Sequence, residues 1–422
     1  MRWIVLGACA ALGLLAAQPA RADVTVLGWP GGPEEVALRA TVAAYNKTAP
    51  AGDKVNLIFF NRDNFWDKLE SDLAAHTGEF DINLTATYAV GRYAPFMQPL
   101  TLPPSAAETF GETVLKTMQF NGKQYGVPTD LSLHFMYYRS DLMDKLLHDA
   151  DWAATYTKIA QEKLGKALTP KPPADWTWDD YAATALFFTK SINPDSPTRY
   201  GTVLQMKNLL FNIMVWHSTA RSYGGDWMDG DGHVTVDSPA FRAGLKLYKM
   251  LYDDGTSPKD SLTYEYAEAN AAFGDLDNKE KNPAVAGKIG TAPPPAGPDG
   301  RFTHIHGLGL GLNAFAPHKA AAIRFLDWLA TPAAMQLYAR SGGSPALAPD
   351  VVAPLAKERP DLVKLGEYAG KYGFVMRGGT SAKALAIYTL QAREFTGYWA
   401  GTESLDTALK NVSAGMTSML AK

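Results

Sequence analysis

From Asp23 onward, short apolar runs alternate with stretches whose apolar residues recur at helical spacing. Val24 to Leu27 reads as a buried strand, Glu34 to Lys47 as an amphipathic helix and Val55 to Phe60 as a strand; Asn64 to His76 then reads as a helix and Ile82 to Thr85 as a strand. This repeated alternation predicts an α/β chain with a largely parallel sheet and helices on both faces. Such sheets bind ligands beyond the carboxyl ends of their strands, which sets Trp29-Pro30-Gly31-Gly32, Asn61-Arg62-Asp63-Asn64 and Thr85-Ala86-Thr87-Tyr88 along one rim. A helix-rich body follows, roughly Tyr138 to Thr303, with proline loops at Pro170 to Pro173 and Ala292 to Pro298. The strand Leu308 to Asn313 and the helix Lys319 to Ala330 look like a return to the first body. Two local caps stand out. Thr177 precedes a helix with Asp179 and Asp180 in its first turn, and Thr331-Pro332 pairs a capping threonine with proline at the first helical position.

The N-terminus changes the picture of where the chain works. Arg2, an apolar run from Ile4 to Ala17 and Ala20-Arg21-Ala22 have the layout of a signal peptide cleaved after Ala22, making residues 1–22 a leader and the mature chain an exported one. The run is shorter than the ~20 apolar residues of a membrane span, and no later stretch approaches that length. Leu6-Gly7-Ala8-Cys9 imitates a lipoprotein box but lies too early in the run to serve as one. Cys9 is the only cysteine, so no disulfide is expected in the mature chain. The 422 residues suffice for two ordinary cores. Losing Arg2 and Arg21 moves the formal charge from −3 to −5, which favours neither nucleic acid nor an anionic membrane as partner.

Three segments then carry a resemblance: Gly122-Lys123-Gln124-Tyr125-Gly126-Val127-Pro128, Tyr137-Tyr138-Arg139-Ser140-Asp141-Leu142 and Ala174-Asp175-Trp176-Thr177-Trp178-Asp179-Asp180-Tyr181. The first reads as a turn into an extended crossing, the second as a strand ending at a helix start. In this order they resemble the family 1 extracellular solute-binding proteins of ABC importers, the family of maltose-binding protein. The likeness continues through Tyr223-Gly224-Gly225-Asp226-Trp227, Val236-Asp237-Ser238-Pro239, Gly287 to Pro295, His306 to Gly311 and Gly342-Gly343-Ser344-Pro345, covering nearly the whole mature chain. It departs near Ala271 to Asp275, which runs into the polar segment Asp277 to Asn282 where the family usually has Gly-Lys-x-Ala-Met.

The resemblance implies a periplasmic binding protein fold, two α/β lobes with a ligand cleft and several hinge crossings. The expected lobes are residues 23–133 with 306–341, and 134–305 with 342–422. It implies a carbohydrate ligand (a sugar, oligosaccharide or glycoside), delivered to a membrane permease with a separate ATPase by a periplasmic monomer that needs no cofactor. Aromatics supply faces for sugar C–H groups and fixed polar groups meet hydroxyls. The binding candidates are therefore Trp29, Tyr88, Trp216, Tyr223 and Trp227, with Gly31, Thr87, Gly225, His306, Gly307 and Gly343 at the expected rim and hinges. Asp63 and Asp130 can accept hydroxyl hydrogens, and Arg62 and Arg377 can donate from a planar fork. Thr380 is read as the cap of a helix running from Ala382 toward Phe395. Trp66, Trp178 and Trp328 are read as core.

Other chemistries find little support. There is no Gly-x-Ser-x-Gly elbow, no His-Glu-x-x-His and no P-loop, so no catalytic residues are assigned. Gly307-Leu308-Gly309-Leu310-Gly311 has the wrong spacing for a dinucleotide loop and reads as a strand at a close backbone approach. His304 and His306 share a face if extended, but no third ligand is identifiable nearby, so no metal site is expected. Asp229-Gly230-Asp231-Gly232 lacks the later glutamate of a calcium loop and reads as a turn before a strand His233 to Val236. Two rivals stay open: a binding protein for a charged non-sugar such as a phosphodiester, sulfonate or polyamine, and a secreted glycoside hydrolase, which would need a carboxyl pair.

Overall fold

The computed structural model describes residues 23–61, 65–274 and 285–421. Arg62 and Asp63, together with most of the divergent segment after Phe273, lie outside the described residues. Twelve short strands are described: β1 (Val24–Gly28), β2 (Val55–Phe59), β3 (Ile82–Ala86), β4 (Met97–Gln98), β5 (Gln119–Phe120), β6 (Lys123–Gln124), β7 (Val127–Ser132), β8 (Met136–Arg139), β9 (Ile289–Ala292), β10 (Thr303–His304), β11 (His306–Asn313) and β12 (Gly373–Phe374). The helices between β1, β2 and β3, Pro33–Thr48 and Phe65–Ala75, fall where the apolar periodicity puts them.

Six strands form one sheet in the order β2-β1-β3-β11-β4, with β7 also paired to β11. The parallel expectation holds for β1, β2 and β3 only. β11 runs antiparallel to β3, β7 and β4, because the chain re-enters this lobe beside the carboxyl ends of β3 and β7. Gly307, Gly309 and Gly311 lie on one face of β11, as a period of two requires. A Cβ at Gly309 would sit 2.8 Å from the Val127 carbonyl oxygen and one at Gly311 would sit 2.7 Å from that of Tyr125. The alternating glycines are thus a packing device for close backbone approach, not a nucleotide loop.

The second lobe is mostly helical, and its described strands form only the short pairs β8–β9 (antiparallel) and β10–β12 (parallel). Its centre is the helix Leu210–Ser222, packed against Pro239–Asp253 and Ala384–Ala400 around the fully buried Trp216, Phe241, Phe395 and Trp399. A separate apolar cluster holds Met143, Tyr156, Trp176 and Phe187. Thr177 caps the helix Trp178–Phe187 and forms a capping box with Asp180; Thr331 caps Pro332–Arg340.

Two local readings are corrected. The strand at His233 to Val236 is absent; the Asp229 carboxylate accepts the amides of Asp231 and His233, which curls the segment into a turn with a single bridge, Met228 to Val234. The late helix begins at Ala384, with Lys383 rather than Thr380 at its cap position.

Candidate functional site at the meeting of the two lobes

Three stretches of chain pass between the lobes side by side. β7 pairs with β11 so that Ser132 faces His306, and the loop after the helix Pro332–Arg340 joins them when Leu131 N–H donates to the Ser344 carbonyl at 2.9 Å. Thr87, just beyond β3, locks this crossing. Its Oγ1 accepts the Gly307 N–H at 2.9 Å while its own N–H donates to the Gly307 carbonyl at 3.0 Å.

Aromatic side chains continue from the sheet rim into the helical lobe. Trp29 stands edge-on to Trp66 at 5.7 Å, Trp66 to Tyr88 at 5.7 Å, and Tyr88 to Phe211 of the helical lobe at 6.0 Å. Tyr88 also lies 6.4 Å from Tyr388, whose ring is 4.6 Å from Trp227. Two of the three expected rim segments are thereby joined, with Trp66 as the link that a purely core reading misses. Backbone comes equally close: a Cβ at Gly91 would fall 2.3 Å from the Thr380 carbonyl oxygen.

Beneath these rings lies a group of histidines. His134, His304 and His306 can each offer a ring nitrogen such that all three lie within 4.8 Å of one another. The backbone explains the meeting. His134 N–H donates to Thr303 Oγ1 at 2.9 Å and Thr303 returns a bond to the His134 carbonyl, so residue 134 is held beside the start of the 304–306 stretch. His217 completes the group, its ring 5.6 Å from His304 and its Nε2 2.7 Å from Gln391 Oε1. Burial pushes all four imidazoles down, His306 to about 4 and His217 to about 3, and their mutual repulsion adds to the effect for His134 and His304. They are neutral at pH 7.

The remaining candidates divide. Asp130 is buried beside the crossing, where it accepts the Tyr338 hydroxyl hydrogen and the Ser344 N–H; burial pushes its carboxyl up to about 6. Gly343 lies on the same loop, with the Tyr338 ring 2.0 Å from where its Cβ would be. The Trp29 indole donates to Glu34, and Gly31, at φ +85°, donates to Glu35. Trp216 is corrected from cleft to core, since its helix turns that face toward two neighbouring helices. Gly225 answers to packing as well, a Cβ there lying 2.9 Å from both the Ala220 carbonyl oxygen and the Phe241 ring. Tyr223 ends its helix half-buried, its hydroxyl pushed up to about 12 by burial and by Asp179. The exposed Arg377 guanidinium donates to the Met228 carbonyl at 3.3 Å, and its loop ends before the helix that begins at Ala384. Of the fifteen candidates, Thr87, Tyr88, Asp130, Trp227, His306 and Gly307 gather at the crossing. His134, His217, Phe211 and Tyr388 join them unforeseen.

Two lobes linked by crossing strands, with aromatic rings and buried polar groups where they meet, define a solute-binding protein. The chain belongs to the bacterial extracellular solute-binding protein family, whose model matches residues 31–336. A putative binding protein of Brucella abortus is 27% identical over 338 residues, covering 73% of this chain and 75% of that protein. MalE3 of T. maritima, solved with maltose bound, superposes with a TM-score of 0.75 at 21% identity, covering 94% of this chain and all of that one. An ABC transporter solute-binding protein of Agrobacterium radiobacter, in complex with ribitol, gives 0.72 at 18% identity over 94% and 98% of the two chains. The protein is the solute-binding component of an ABC transporter and not an enzyme, which removes the glycoside hydrolase rival. Among the described residues no helix is long and apolar enough to cross a membrane.

Proposed function

We propose that the solute is a carbohydrate, a sugar or a related polyol, taken up where the lobes meet and delivered in the periplasm to a membrane permease with a separate ATPase. The mature chain then begins at Asp23, acts as a monomer, and uses residues 23–133 with 306–341 against 134–305 with 342–422 as its two jaws. One observation carries the reading. Tyr88 from one lobe and Phe211 from the other meet at 6.0 Å, and Phe211 lies 5.9 Å from the buried His306. Ring faces suit sugar C–H groups, and the absence of a charged imidazole beside them serves a neutral polyhydroxylated solute better than a charged one. Maltose and ribitol in the similar proteins agree with that class.

A thermal-shift screen over neutral sugars, sugar alcohols, anionic glycosides and polyamines tests it, because ligand at 100 times its Kd adds about 2.7 kcal/mol of stability. Stabilisation by a neutral sugar or polyol, weakened in Tyr88→Ala and Phe211→Ala, is the expected result. Stabilisation by polyamines or anionic solutes alone would overturn the carbohydrate assignment.

A further inference from the structure

We propose that His134, His304 and His306 form a binding site for a divalent transition-metal ion such as Zn2+, set in the floor of the interlobe crossing. Three features of the cluster argue for it. His134 Nε2, His304 Nδ1 and His306 Nδ1 have no hydrogen-bond partner although each is sealed from solvent. Buried ring nitrogens are rarely left so, and three of them on rings that each bring a nitrogen within 4.8 Å of the others call for an occupant that accepts several lone pairs at once. The spacing is near that of a metal set. A tetrahedral ion with Zn–N bonds of about 2.0–2.1 Å holds its nitrogens about 3.4 Å apart, and rotation of the imidazoles closes the difference from the observed spread of up to 4.8 Å.

The third feature is the outer support that metal-bound histidines need. His304 Nε2 lies 2.9 Å from the Tyr388 hydroxyl, and when that nitrogen carries the proton Nδ1 presents its lone pair to the cluster. The main chain of His304 is anchored as well, its N–H donating to Ser218 Oγ at 3.0 Å. Three neutral imidazoles leave a divalent ion with its charge uncompensated and a position open, as in three-histidine zinc sites that keep one place for an exogenous oxygen. His217, whose Nδ1 is likewise unpartnered, stands behind His304 as a reserve donor.

A second group, Asp229, Asp231 and His233, also satisfies ligand spacing, but Asp231 and His233 are exposed and the Asp229 carboxylate is taken up by backbone amides. It serves as the control. The proposal does not depend on the carbohydrate reading, since the probe is the metal alone.

The full mature chain, without a histidine tag and stripped with chelator, is titrated with Zn2+ by calorimetry and by equilibrium dialysis with metal analysis. One Zn2+ per chain is expected. His134→Gln and His306→Gln should each weaken it by more than the roughly 10–100-fold that Tyr388→Phe, an outer-shell change, should cost. His233→Ala should bind as the parent does. Circular dichroism reports whether each variant folds. Should His134→Gln not fold, the Co2+ adduct of the parent decides: intense visible bands of a four-coordinate nitrogen site support the assignment, and the weak spectrum of hydrated Co2+ overturns it. Sub-stoichiometric Zn2+ in the parent, parent-like affinity in folded His134→Gln or His306→Gln, or loss in His233→Ala would likewise overturn it.

Discussion

Asp130 has two main donors, the Tyr338 hydroxyl and the Ser344 amide, in a site from which water is nearly excluded. Its carboxyl, raised to about 6, keeps a proton in the folded protein that the unfolded chain, with a value near 3.8, releases. The folded state therefore binds more protons between those limits, and this residue's contribution grows less favourable as pH rises from about 4 to 6. Asp130→Asn removes the charge and keeps an oxygen acceptor. Relative to that variant, the parent should lose on the order of 2–3 kcal/mol between pH 4 and pH 7. Urea unfolding of both at the two pH values measures it, and parallel pH profiles would refute it. From sequence this carboxylate is a ligand candidate. Nothing in its neighbourhood announces that a helix and the loop after it, 208 and 214 residues later, supply its partners.

Local chemistry is what the sequence reveals most directly at the scale of an element. Thr177 and Thr331 are recognisable because a cap's partners lie within three residues, and both form. Thr177→Ala should cost about 1 kcal/mol, within the 0.5–2 kcal/mol usual for a lost cap, and Thr177→Ser should restore most of it. Guanidinium unfolding midpoints would show this; a Thr177→Ala midpoint equal to the parent's would mean that Asp180 holds the helix start unaided. Readings that depend on competition with the rest of the fold do worse. The expected strand at His233 loses to the Asp229 carboxylate, which takes amides a strand would have used. The shared face of His304 and His306 is legible from their alternation. His134 is not, because its place follows from a register, His306 opposite Ser132, that pairs segments about 170 residues apart.

For the whole molecule, the proposed uptake between the lobes requires them to meet, and Gly91 lies where two backbones come close. A Cβ there would press on the backbone of Thr380, Ser381 and Ala382 across the crossing. Gly91→Ala should leave each lobe folded but disfavour the closed arrangement, and a cost of 1.4 kcal/mol on closure weakens the apparent affinity about tenfold. Calorimetry with a solute from the screen, paired with small-angle scattering, would register weaker binding and a larger radius of gyration. Unchanged values of both would show that the contact at Gly91 has no part in closure. The two-lobed plan itself is legible from the alternation of strands and helices and from the family landmarks. The direction of β11 is not, since periodicity says where a strand lies and nothing of which way it runs.

The position of β11 has a further consequence, for how the chain comes together in time. Its sheet is centred on a strand that arrives 220 residues after the β3 rim it bonds to, once the long stretch from β8 to β10 has been made. Until then β3 and β7 have open edges, of the kind that invite pairing with another chain. Contacts so distant in sequence form late and slowly. The lobe that is begun first thus cannot close its sheet until β11 emerges, and its strand edges stay open to one another and to other chains for most of the chain's synthesis.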